Sequence, residues 1–152
     1  MISDELDRVQ RTIINVHREV FDESPSPMKL QKLCYYAQGY ALAEKNQLFE
    51  EDFQAWQHGP VVYELYDKYR DYQWCQISED VGESDPRLLE YITDVVGAYG
   101  RYDGAALSTM THRESPWLNA RGDLDESQGS TKVITKESMR SFFAAKLRAA
   151  DV

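Results

Sequence analysis

Met28-Lys-Leu-Gln-Lys-Leu-Cys-Tyr-Tyr-Ala-Gln-Gly-Tyr-Ala-Leu-Ala, then Leu48-Phe49, then Phe53-Gln-Ala-Trp-Gln-His-Gly-Pro-Val-Val-Tyr-Glu-Leu-Tyr-Asp-Lys-Tyr, is the stretch that decides the fold. Ser26 can cap a helix and Pro27 suits its first position, so a helix is expected to about Asn46. Leu30, Leu33, Cys34, Ala37, Tyr40 and Ala41 share one side of it. Gly39 inside this helix costs about 1 kcal/mol relative to Ala, which predicts a close approach by a neighbouring element. Leu48-Phe49 and Phe53–Trp56 are too short for a helix and read as a brief extended segment. His58-Gly59-Pro60 reads as a turn and helix start, with a third helix from Pro60 to Tyr72.

Working outward, Leu6, Val9, Ile13, Val16 and Val20 predict a first helix from Ser3 or Asp4 to Phe21. Cys75-Gln-Ile77 is expected to be a short strand beside the segment around Phe53. Pro86 opens a helix to about Tyr102, and two shorter helices follow, one capped by Ser108 or Asp103 and running through Thr111-His112, the other from Ser115 to Gly122. Asp123 to Thr131 is polar and expected to pack loosely, before Thr135 caps a last helix to Ala150. The expectation is a mainly α, compact single domain over residues 1–152. It has about six helices and at most a short β-hairpin-like extended pair.

With 152 residues and 42% hydrophobic content, the chain can bury one core. A formal net charge of −9 argues against a duplex-binding footprint. Lys132, Lys136, Arg140, Lys146 and Arg148 are the local exception, and read as a solvated face. Nucleic acid is therefore an unlikely partner, though the basic last helix keeps it as a rival reading. No apolar run approaches a membrane span and the start does not look like a signal peptide, so a cytoplasmic protein is expected. Cys34 and Cys75 form no CxxC pair, and the three histidines have no ligand spacing. No metal, no cofactor and no catalytic residue is assigned.

The histidines are read as structural: His58 fixes its turn, and His112 satisfies buried groups before the next helix. The alternative is an enzyme using His58, His112 and Glu114 for acid–base chemistry. Tyr63, Tyr66, Tyr69 and Tyr72 recur every three residues, so their stripe drifts 60° per step and one face cannot bury all four. Exposed rings of this kind suit an interface. Tyr35, Trp56, His58, Tyr63 and Tyr66 are the candidate contact residues for a protein partner.

Lys29-Leu-Gln-Lys-Leu-Cys-Tyr-Tyr-Ala-Gln-Gly-Tyr40 and Ala55-Trp-Gln-His-Gly-Pro-Val-Val-Tyr-Glu-Leu-Tyr66 together resemble the signature of the Panacea domain. This is the SocA-like antitoxin domain, also called the phage-associated GepA-type domain. Thr111-His-Arg-Glu-Ser-Pro-Trp-Leu-Asn-Ala-Arg121 resembles its second block, and Ile134–Leu147 its C-terminal helix, so the likeness spans residues 8–148. Lys29, Leu30, Gln31, Lys32, Leu33, Tyr36, Gln38, Gly59, Pro60, His112, Pro116 and Trp117 are motif positions expected to be structural. The resemblance implies an antitoxin of a bacterial or phage toxin–antitoxin pair that neutralises a cognate protein toxin, encoded next to it, by direct binding. Toxins neutralised in the family include translation inhibitors, alarmone-synthetase-like enzymes and membrane-acting peptides. The resemblance also implies an alternative, an adaptor delivering a client to a ClpXP-type protease. Some members carry a DNA-binding domain; none is expected in these 152 residues, which argues against promoter autoregulation. A homodimer stays open. The acidic balance would suit a basic toxin through electrostatic steering.

Overall fold

The computed structural model describes residues 1–150. Helix α1 (Asp4–Phe21) starts at Ser3, whose hydroxyl accepts from the Leu6 amide at 3.0 Å, and carries Asp4, Glu5 and Asp7 in its first turn. Those charges suit the positive end of the helix dipole. Leu6, Val9, Ile13 and Val16 are buried, but Val20 is 49% exposed. The last turn of α1 passes the edge of the core before Asp22 ends it in a left-handed conformation.

Helix α2 (Pro27–Ala43) is capped by Ser26, with Pro27 at the first position. It is the central element, and every residue from Leu30 to Gly39 is buried. The one-sided stripe expected from the sequence is therefore a full-circumference burial, because α1, α4, α5, α7 and a small sheet all pack on α2. Gly39 lies under Phe143, whose ring atoms sit 2.2 Å from where a Cβ would be. The predicted close approach is thus a ring from α7, seated in the space a side chain would fill.

The sheet has the order β2-β1-β3 and is antiparallel throughout. Strands β1 (Phe53–Trp56) and β2 (Gly59–Val61) form a hairpin closed by Gln57-His58, with Trp56 opposite Gly59. Strand β3 (Val133–Ile134) takes the other edge of β1, Phe53 opposite Ile134. Two expectations change here. Residues 59–61 are strand, and helix α3 begins only at Tyr63, running to Tyr69 with one 3-10 turn (Arg70–Tyr72) after it. Residues 75–77 are not a strand: Ile77 is a buried plug whose amide donates to the Pro25 carbonyl at 3.1 Å, and β3 holds the expected edge. Helices α4 (Leu89–Tyr99), α5 (Gly104–Thr111), α6 (Ser115–Arg121) and α7 (Lys136–Ala150) complete a mainly α fold, with seven α-helices among the described residues.

Residues 123–131 depart from the loose loop expected. The buried Arg121 guanidinium donates to the carbonyls of Ala55 (2.9 Å), Asp125 (2.7 Å) and Gln128, tying this loop to β1. Its plane lies 4.6 Å over the Trp117 ring. A delocalised, weakly hydrated cation suits such a buried, carbonyl-rich position better than an ammonium.

Candidate binding groove

The motif residues divide into clamps and surface. Gln31 donates to the Val62 carbonyl (3.0 Å) and accepts from its amide (2.9 Å), fixing the β2–α3 junction on α2. Gln38 does the same further along, donating to the Phe49 carbonyl (2.7 Å) and accepting from the Leu48 amide (2.8 Å). Lys29 reaches the Gly100 carbonyl at 2.5 Å. Leu30 and Leu33 are core. Each glutamine satisfies a donor and an acceptor of passing backbone that would otherwise be buried without partners.

Tyr35 was expected at the surface and is fully buried. Its hydroxyl donates to one Glu114 oxygen at 3.0 Å, and that of Tyr36 to the other at 2.9 Å. Desolvation raises the Glu114 carboxyl, opposed by these two donors, and burial raises both tyrosines. Tyr36 stacks on Tyr99 at 3.9 Å. Tyr35 is an interior ring because α2 is enclosed, so it has no free face to offer.

His112 ends α5 and stacks on Trp117 at 4.1 Å, while the Trp117 indole donates to the Trp56 carbonyl at 2.8 Å. Burial lowers His112, and its Nε2 has no partner. Pro116 is buried in the first turn of α6. His58 is exposed at the hairpin tip, its backbone carbonyl accepting from Ser108 Oγ at 2.5 Å. No hydrogen bond joins His58, His112 and Glu114 to one another: both Glu114 oxygens are taken by the tyrosines.

The remaining candidates gather around one groove of about 1110 Å³. It lies between the start of α2, the hairpin tip, α3 with the turn after it, and the 129–132 strand approach. Trp56 and Tyr66 meet in it at 4.9 Å, and Tyr63 lies 6.2 Å from Tyr66 on its outer shoulder. Tyr63 and Tyr66 are exposed, whereas Tyr69 is buried and donates to Gln10 at 2.6 Å. The drift of the tyrosine stripe excludes burying all four on one face, and the packing of α3 selects Tyr69 as the buried one. Sequence reading missed Trp74, which is 83% exposed on the groove wall. It follows Gln73, whose φ of 54° is left-handed and costly for a residue with a Cβ. That unusual residue sits where the chain turns from the 3-10 turn to Trp74.

Lys32 lies at the groove floor and is 1% exposed. Its Nζ donates to the Pro60 carbonyl at 3.2 Å. Its stem crosses Gly59, where a Cβ would sit 2.6 Å from Lys32 Cε. Gly59 also has φ of 115°, so two requirements exclude a side chain there. Burial pushes the Lys32 amine down from 10.5 to about 7. Among the described residues no carboxylate pairs with it, nor is any group of His, Cys, Asp or Glu placed to hold a metal ion. No described helix is long and apolar enough to cross a membrane.

The family model described as Antitoxin SocA-like, Panacea domain matches residues 30–118. No curated protein and no solved structure gives a significant match. The matched region runs from the buried face of α2, through the hairpin and α3, to the Glu114–Trp117 block, and holds most of the groove-forming residues. Covering more than half of the 152 residues, it shows that this chain belongs to the SocA-like antitoxin family, the Panacea-domain proteins.

Proposed function

We propose that this protein neutralises a cognate protein toxin by direct binding, with the groove and its aromatic shoulder as the contact face. Membership of an antitoxin family supports the role. The observation that carries the location is the cluster of half-buried Trp56 with exposed Tyr66 and Trp74 in the groove, and exposed Tyr63 beside Tyr66. Aromatic anchors in a concave, partly dry site are what binding hot spots consist of. His58, exposed at the hairpin tip, borders the same face. The reading needs no catalytic step, and the scattered orientation of His58, His112 and Glu114 favours none.

The test is co-expression with the product of the adjacent reading frame. A neighbour that is toxic alone, tolerated with this protein and recovered in a stable complex supports the reading. Tyr66→Ala with Trp74→Ala should then abolish rescue while the circular dichroism spectrum stays native. Rescue that persists in the double variant places the contact elsewhere. A client whose half-life falls when this protein is present would favour delivery to a ClpXP-type protease over sequestration.

A further inference from the structure

The charge lining the groove is the reverse of the charge of the chain. Asp and Glu outnumber Lys and Arg by 26 to 17, yet among the described residues no Asp or Glu lines the groove. Its ionisable side chains include Lys32 at the floor, Arg70 and Lys132 toward the mouth, and His58. Arg70 is held by Asp67 at 2.6 Å on the outer side of α3 and lies 5.7 Å over the Tyr66 ring. Lys132 is exposed beside β3.

Lys32 is the unusual member. An ammonium has three donors, and Lys32 spends one on the Pro60 carbonyl. A buried ammonium without a carboxylate is costly, and a fold could remove that cost with Met or Leu at the same position. The groove is also larger than most small-molecule pockets, which span roughly 300–1,000 Å³. Its volume would hold several residues of polypeptide, with rings among its lining and Lys32 at the floor.

We infer that the groove binds an extended acidic segment of a partner protein, with an Asp or Glu side chain of that segment reaching Lys32 and its apolar neighbours lying against Trp56, Tyr66 and Trp74. The inference rests on the groove being the contact face proposed above. The incoming carboxylate supplies the counter-charge that the chain does not provide. Only the carboxylate leaves water on docking, since Lys32 is already buried, and the low-dielectric surroundings strengthen the charge-assisted contact. Lys132 at the mouth attracts the segment, Arg70 being already paired with Asp67, and the rings hold its apolar part.

An array of ten-residue peptides tests this. Each is N-acetylated and C-amidated and carries a Trp or Leu anchor, with either Glu or Gln at one varied position. The capped ends leave the Glu side chain as the only carboxylate. The best Glu peptide should bind more tightly than its Gln twin by on the order of tenfold, as for a hydrogen bond to a charged group. Lys32→Met should retain the fold and bind both twins alike. Nitrogen-detected NMR of the Lys32 ammonium in the wild-type chain gives a readout that does not depend on the variant folding. Its titration should move to higher pH with the Glu peptide and stay in place with the Gln peptide. Equal binding of the twins, no binding by either, or an unmoved Lys32 titration would overturn the inference.

The two readings fail separately. Toxin rescue by Lys32→Met at undiminished affinity removes the acidic-segment inference and leaves the antitoxin role intact. Glu-selective peptide binding without any toxic neighbour does the opposite.

Discussion

Replacing Lys32 by Met is the perturbation that separates a functional lysine from a structural one. The native state holds this amine at about 7, against 10.5 for an ordinary lysine, because burial penalises its charge. At about 1.36 kcal/mol per pKa unit, that gap is an upper bound of about 5 kcal/mol against the native state once the amine is charged. The sign follows from which state protonates first. The unfolded chain takes the proton near 10.5 and the native chain only near 7, so stability is highest above 10.5 and falls as pH drops through that window. Met keeps the stem across Gly59 and removes the charge, but it leaves the Pro60 carbonyl without its donor, a loss of about 1–3 kcal/mol. The net gain at pH 7, where the native amine is half-protonated, should be at most about 2–4 kcal/mol, or a melting temperature higher by up to about 10 °C for a chain of this length. Urea unfolding of both proteins at pH 6, 7, 9 and 10.5 measures it. The gain should shrink with rising pH and vanish or reverse by 10.5. A Met variant that is less stable at pH 7, or a difference that ignores pH, would refute the account of Lys32 as an uncompensated buried cation.

Further expectations follow from other contacts. Gly39→Ala should destabilise by about 1–3 kcal/mol despite the better helix propensity of Ala, because its Cβ overlaps the Phe143 ring; Phe143→Leu in the same chain should recover part of the loss in chemical denaturation. Glu114→Ala should cost about 2–5 kcal/mol by stranding the Tyr35 and Tyr36 hydroxyls, read out by thermal unfolding, whereas Glu114→Gln should cost less. His17 is lowered chiefly by burial, with its Nδ1 against the Glu23 carbonyl at 2.6 Å and its Nε2 unpartnered. Its neutral form therefore contributes stability that is present above 6.5 and lost as pH falls. His17→Gln should flatten the fall in stability below pH 6.5, only partly, because burial lowers His112 as well. Trp74→Ala should change stability by no more than about 0.5 kcal/mol while weakening partner capture, since that ring is almost fully solvated in the free protein.

Local chemistry was legible in the sequence. Ser3 and Ser26 cap α1 and α2 where the hydroxyl-then-apolar pattern puts them, and Thr135 accepts from the Ser138 amide at 3.1 Å at the start of α7. These signals lie within one or two helical turns of the residues they govern, so spacing alone determines them. The division of the tyrosine stripe follows from helix geometry, and the need for a close neighbour at Gly39 from the cost of glycine in a helix.

Tertiary structure decided what those elements face. Phe53 pairs with Ile134, and Glu114 joins Tyr35 and Tyr36; both contacts cross most of the chain. Periodicity marks an apolar side but does not count how many partners cover it. For that reason the enclosure of α2, and with it the burial of Tyr35, was not visible beforehand. The same limit left Lys32 a motif position expected to be structural, with no sign that a hairpin folds over it and buries it, and left Trp74 without a role until the turn at Gln73 sets it outside. The sequence by itself determined most of the helices, the starts of α1 and α2, and the family; the packing of distant segments determined where β2 ends and α3 begins, which charge is buried, which ring is free, and hence where this protein presents a surface to bind with.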